Sequence, residues 1–108
     1  MITGILLAAG SSRRFGSGAQ KLLAPLPDGR TVVQVAAANL LQACGRVIAV
    51  TRRDARLMRA LDDAGCHVIV NPRADEGMGT SIAAGVAASA DASGWLIALG
   101  DMPFIQPA

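Results

Sequence analysis

Apolar and polar positions alternate along the chain in a pattern that predicts four short buried strands separated by helices. Ile2 to Leu7 is an apolar run closed by Ala-Ala-Gly, the first strand. Val47–Val50, His67–Val70 and Trp95–Leu99 are three more such runs. Between them lie segments of helical spacing. Val32, Val35, Ala36, Leu40 and Ala43 share one face of a helix over 31–43, with Thr31 as N-cap and Gly45 as stop. Asp54 to Ala64 places Leu57, Met58 and Leu61 on one face and is stopped by Gly65. Thr80 or Ser81 opens a third helix that runs to about Ala90. Residues 10–20 are rich in Gly, Ser and Arg and read as a loop; residues 22–29, with two prolines and Asp28-Gly29, read as irregular or as a small hairpin.

Uninterrupted apolar strands alternating with helices imply a parallel sheet covered on both faces. The expectation is a Rossmann-like three-layer α/β/α sandwich in one domain over 1–108, with strand order 3-2-1-4. That order makes the first and fourth strands neighbours. In such a sheet ligands bind beyond the carboxyl ends of the strands, where the order reverses.

Composition narrows the classes. The 108 residues suffice for one domain; 52% are apolar and 17% charged, so the chain can bury a core. Its 21 alanines and 12 glycines, with aromatics at 3%, favour close helix-on-sheet contact and leave little for stacking on single-stranded nucleic acid. A net charge of +2 is too balanced for gripping a polyanion, so nucleic acid is not an expected partner. No apolar run reaches the ~18 residues of a membrane span, and the N-terminus lacks the charged region of a signal peptide. Cys44 and Cys66 fall in apolar surroundings as reduced core residues, which fits a cytoplasmic protein. His67, the single histidine, reads as structural.

Three loops carry candidate chemistry, each following a strand. The first runs from Leu7 through Ala8, Ala9, Gly10, Ser11, Ser12 and Arg13 to Lys21, the only lysine beside nine arginines. Small residues let backbone N–H groups approach a phosphate, and Arg13, Arg14 and Lys21 offset its charge. The alternative is a solvated basic loop. Neither a Walker loop nor a dinucleotide fingerprint fits, because Ser17 follows Gly16 and Gly16-Ser17-Gly18-Ala19-Gln20 leads into Lys21. Arg52 and Arg53 after the second strand keep an NADP-phosphate site open as a rival. The second loop holds Asp101 in Gly100-Asp101-Met102-Pro103, as a Mg²⁺ ligand or as a turn aspartate. The third is Asn71 to Ser81, ending at a helix N-terminus, where Thr80 and Ser81 are ligand contacts or caps.

Together these segments resemble the MobA-like NTP transferase family. Leu-Ala-Ala-Gly-Ser-Ser-Arg-Arg-Phe-Gly followed by Lys21 is similar to the signature L-A-A-G-x-S-x-R-x-G…K. Asn71-Pro72 with Gly77, Gly79 and Ser81, then Gly100-Asp101-Met102-Pro103, resembles its molybdenum cofactor cytidylyltransferase branch. The resemblance implies a fold of the nucleotide-diphospho-sugar transferase type and the transfer of a nucleoside monophosphate to a phosphorylated acceptor with release of pyrophosphate. It assigns phosphate binding to Lys21 and Arg13, Mg²⁺ to Asp101, and nucleotide contacts to Leu7, Ala8, Ala9, Gly10, Ser11, Ser12, Asn71, Gly79 and Ser81. Ala-Ala-Gly in place of Ala-Gly-Gly points to CTP before GTP, and the branch points to molybdopterin as acceptor. Phe15 stands where Met or Leu is usual, and the stretch from Gly16 to Lys21 is longer than in many members. Family members are about twice this length, so 1–108 corresponds to the nucleotide-binding half, and the acceptor pocket and a further metal ligand belong to the other half. A nucleotide-binding module without turnover, self-associated or paired with a missing half, is the alternative.

Overall fold

In a computed structural model of the chain, which describes residues 2–8, 25–27, 29–73 and 76–100, four parallel strands lie in the order β3-β2-β1-β4. Strand β1 is Ile2–Ala8, β2 Val47–Thr51, β3 His67–Val70 and β4 Gly94–Leu99. Helices α1 (Val32–Cys44), α2 (Ala55–Asp63) and α3 (Met78–Ala88) connect them. The predicted strand order and three-layer arrangement hold. Strand β1 is central and pairs in register with β2 from Gly4↔Val47 to Ala8↔Thr51, and with β4 from Ile2↔Gly94 to Leu7↔Leu99.

Side-chain parity along the strands builds two cores. Leu6, Ala8, Val47 and Ala49 face α1 and α2, meeting Val33, Ala37, Leu40, Leu57 and Leu61. Ile5, Leu7, Ile48 and Val50 face the other way, against Ile82 and Val86 of α3. Each fully buried Leu or Ile contributes about 1.5–3 kcal/mol relative to exposure. The layers touch closely where glycine allows it. A Cβ on Gly4 would lie 2.6 Å from Leu40 Cγ, and one on Gly85 of α3 2.8 Å from Ile5 Cγ2. This is the close contact that the Ala/Gly-rich composition predicts.

The helix termini follow from local chemistry. Thr31 caps α1 in a reciprocal box with Gln34, and Gly45 closes it at φ +74°. Asp54 Oδ1 accepts the N–H groups of Arg56 and Leu57 at the start of α2. In α2 the buried face is Leu57, Ala60 and Leu61, and Met58 is half-buried where the spacing placed it inward. Before α1, Pro25 bridges Thr31, and Leu26 N–H donates to Arg30 O (2.7 Å), a small hairpin as expected.

Two expectations are corrected. The third helix begins at Met78 with Gly77 as N-cap and ends at Ala88, so Thr80 and Ser81 lie inside its first turn and are not its caps. Gly77 ends the loop at φ +123°, a backbone that side chains rarely adopt. Second, the sheet is not covered on both faces throughout. Trp95, Leu96 and Ile97 of β4 are exposed, because β4 is an edge and α3 lies over β1 and β2. Both cysteines are free thiols; Cys66 is buried and Cys44 half-buried, as the sequence predicts. Burial pushes the Cys66 thiol up to about 11. Among the described residues no helix is long and apolar enough to cross a membrane.

Candidate functional site

All four strands point the same way, so their carboxyl ends form one row at one side of the sheet. Two backbone hydrogen bonds tie the row together. Gly100 N–H donates to Leu7 O (2.9 Å), carrying the pairing of β4 with β1 one residue past β4. Asn71 N–H donates to Thr51 O (2.9 Å), doing the same for β3 and β2. Three loops of candidate chemistry therefore leave from this side: after Ala8, after Val70 and after Gly100.

The loop after β3 is organised by Asn71, which is 6% exposed. Its Nδ2 donates to Thr80 Oγ1 (2.9 Å) and to Ser81 Oγ (3.0 Å), and its Oδ1 accepts from Arg73 N–H (3.0 Å). Both amide hydrogens and the carbonyl are thus engaged. Thr80 Oγ1 also lies within donating distance of Arg73 O (2.9 Å) and Gly77 O (2.8 Å). The segment from Asn71 to Ser81 is closed onto the first turn of α3 at both ends. Arg73 and Glu76 pair at its outer surface through two hydrogen bonds of 3.0 and 2.9 Å. Those bonds, with charge attraction second, hold the Glu76 carboxyl below its usual range.

This clasp leaves the start of α3 open. No side chain caps it, and a Cβ built on Gly79 meets nothing within 4 Å. Ser81, buried at 4%, sits one turn in and is fixed by Asn71. A helix start without a side-chain cap, a bare backbone at Gly79 and an oriented hydroxyl suits an anion or a polar edge of a small ligand.

Of the residues singled out by sequence, the structure brings Asn71, Gly79 and Ser81 together. It places Leu7 and Ala8 at the end of β1, both buried. Ala9, Gly10, Ser11, Ser12, Arg13, Lys21 and Asp101 lie outside the described residues; Gly100, immediately before Asp101, is bonded to Leu7. Among the described residues no group of three or more His, Cys, Asp or Glu side chains could hold a metal ion. Thr80 as the clasp was missed: its type suggested a cap, and no pattern in the sequence links it to Arg73 O. A shallow hollow beside Met58, Asp62, Cys66 and His67 opens at the amino end of β3, away from this row.

Comparison with known proteins supplies the remaining observations. Residues 4–108 match the family model of the MobA-like NTP transferase domain. The chain is 38% identical over 104 residues to nicotine blue oxidoreductase of Paenarthrobacter nicotinovorans, covering 94% of this chain and 50% of that protein. Among solved structures it resembles a nucleotidyl transferase from Methanothermobacter thermautotroptrophicus at a TM-score of 0.82 and 32% identity, over 99% of this chain and 53% of that one. It also resembles Rv0371c of Mycobacterium tuberculosis at a TM-score of 0.72 and 32% identity, over 98% of this chain and 55% of that one. Rv0371c was further solved in complex with manganese, and that structure matches at a TM-score of 0.68 and 30% identity over 98% of this chain and 53% of that one. The chain spans about half the length of the relatives it matches.

Proposed function

The chain belongs to the MobA-like NTP transferase domain family, and from that membership we propose that residues 1–108 form the nucleotide-binding half of a cytoplasmic nucleotidyltransferase. In this reading it transfers CMP from CTP (or GMP from GTP) to a phosphorylated acceptor of the molybdopterin type and releases pyrophosphate. The observation that carries it is the row of strand ends, with Gly100 bonded to Leu7. That bond sets Gly100, the residue before Asp101, beside Leu7 near the end of β1, which supports a reading in which the segments that follow both strands approach one triphosphate.

The residues then have separable tasks. Backbone N–H groups from Ala9 to Ser12 cradle the triphosphate, and Lys21 and Arg13 neutralise charge that grows on the leaving pyrophosphate. Ser81, Gly79 and the open start of α3 take the nucleoside end, with Asn71 holding them in place. A phosphate oxygen of the acceptor attacks the α-phosphorus in line, the bond to the β-phosphate oxygen breaks, and no covalent enzyme intermediate is needed. In this reading Asp101, with the nucleotide's own oxygens, would supply the oxygen donors that a divalent cation such as Mg²⁺ prefers, and a related structure holds manganese. When bound, that ion supplies charge neutralisation at the phosphates.

Calorimetry with CTP and GTP, with and without Mg²⁺, tests the binding half of this reading. Metal-dependent binding with CTP preferred is expected, and Lys21→Ala or Asp101→Ala reduces it at least tenfold. Pyrophosphate release with molybdopterin tests the transfer. A chain that binds neither nucleotide under any condition rules the proposal out.

A second reading has one observation in its favour: a relative at 38% identity carries the name of an oxidoreductase. Here the same strand ends hold a nicotinamide dinucleotide, with Arg52 and Arg53 after β2 near its ribose phosphate. NADPH titrated in the same calorimeter separates the two, since this reading requires NADPH binding that CTP does not displace.

A further inference from the structure

Two buried serines, one at each end of α3, use their hydroxyls differently. Ser89, fully buried, accepts from Trp95 Nε1 (2.9 Å) and donates to Gly85 O four residues back (2.7 Å), so both halves of the group are engaged. Ser81, buried in the first turn, is engaged on one side only. The direction of each bond around it follows from what each partner is able to do. Arg73 N–H only donates, so the Asn71 atom it meets (3.0 Å) is Oδ1, and the amide nitrogen faces the hydroxyls. Thr80 Oγ1 lies beside two carbonyls, which only accept, so it gives its proton to one of them and takes one from Asn71. Ser81 Oγ likewise takes a proton from Asn71 Nδ2 (3.0 Å), and its own proton must point elsewhere. The usual outlet for a helical serine is the carbonyl four residues back, here Gly77 O, and Thr80 Oγ1 holds that place at 2.8 Å. Among the described residues no acceptor meets the Ser81 proton.

Given the nucleotide-binding reading, on which this step rests, we infer that Asn71 is a positioning residue that fixes Ser81 as a hydrogen-bond donor to the bound ligand. The ligand atom facing Ser81 is then an acceptor, and not an amine or amide N–H. Native proteins rarely leave a buried donor unmet. Ser81 stands at the helix start that lacks a side-chain cap, with open space over Gly79. A nucleoside triphosphate offers acceptors of this kind in two places, a carbonyl of the base and an oxygen of the phosphates. In either case the polarity of the contact is set before the ligand arrives, because both amide hydrogens of Asn71 and the hydroxyl hydrogen of Thr80 are already spent inside the cluster.

The test is a double-mutant cycle read by calorimetry on the 108-residue chain, with Mg²⁺ and whichever of CTP and GTP binds tighter. Ser81→Ala removes the donor. Asn71→Asp keeps the size of the side chain and replaces its N–H groups by an acceptor, which captures the Ser81 proton and turns the hydroxyl away from the ligand. Each substitution is expected to weaken binding by about tenfold, and Ser81→Ala is expected to cost nothing further once Asn71→Asp is present. Repulsion between the new carboxylate and the nucleotide acts whether or not Ser81 is there, so losses that simply multiply overturn the inference. Ser81→Cys has nearly the same volume and only a weak donor, and it gives the reading if Ser81→Ala does not fold. It is expected to weaken binding as well, and a cysteine variant that binds as tightly as the wild type overturns the inference. Inorganic tripolyphosphate titrated in parallel separates the two sources of the acceptor. A loss shared by both probes assigns a phosphate oxygen to Ser81, and a loss confined to the nucleotide assigns a base carbonyl. A wild-type chain that binds no nucleotide defeats the functional reading and this contact together. A wild-type chain that binds, with variants that bind equally well, defeats the contact alone.

Discussion

Asn71 and Gly79 act in opposite senses on the same loop, and their substitution separates fold from site. Asn71→Ala removes the buried amide that holds Thr80 and Ser81, so stability is expected to fall by about 1–3 kcal/mol, read as a lower urea midpoint at constant slope. Gly79→Ala places a methyl in open space on a helix and is expected to raise stability by about 0.5–1 kcal/mol. On the proposed function the same methyl weakens nucleotide affinity. A Gly79→Ala protein that is both more stable and equally tight-binding removes Gly79 from the site. Asn71, Gly79 and Ser81 were singled out from loop position and resemblance, and the structure sets them in one loop and helix start. The way they cooperate was not legible, because it depends on one amide reaching two hydroxyls nine and ten residues further on, which only the folded loop sets.

Elements were easier to read than their ends. The strands and helices follow from apolar periodicity, and Thr31, Gly45 and Gly65 punctuate them as expected, while Asp54, read as the first helical residue, is the N-cap. The start of α3 was misplaced because Thr80 and Ser81 have the chemistry of caps, yet Gly77 supplies the turn and their hydroxyls bond elsewhere. What packs on what was also hidden at Gly85, whose role is set by Ile5 across the layer. Gly85→Ala is expected to cost about 1–3 kcal/mol by overpacking α3 on β1, detected by thermal or urea denaturation. If α3 instead tolerates the methyl, the layer spacing is looser than the 2.8 Å approach implies.

For the whole molecule, pH gives a clean test of the larger core. Cys66 ionises near 9.0 when unfolded and at about 11 when folded. The folded state therefore keeps its proton longer, so this contribution is complete below pH 9 and lost as pH rises towards 11. Stability measured from pH 8 to 11 should fall, and Cys66→Ala should flatten that slope whatever it does to the absolute value. Strand order was legible at this scale because alternating apolar strands and helices admit few topologies. The bare flank at β4 was not, since an apolar run looks the same whether or not a neighbour covers it.

The hydrogen bond from Gly100 to Leu7 also has a consequence in time. It joins β1 to β4, and β1 is central among the described strands, so β1 cannot complete its pairing until the chain has been made as far as Gly100. Assembly of this sheet is non-local by construction, which favours slow folding and a long interval in which Ile5, Leu6 and Leu7 need shelter from solvent and from other chains.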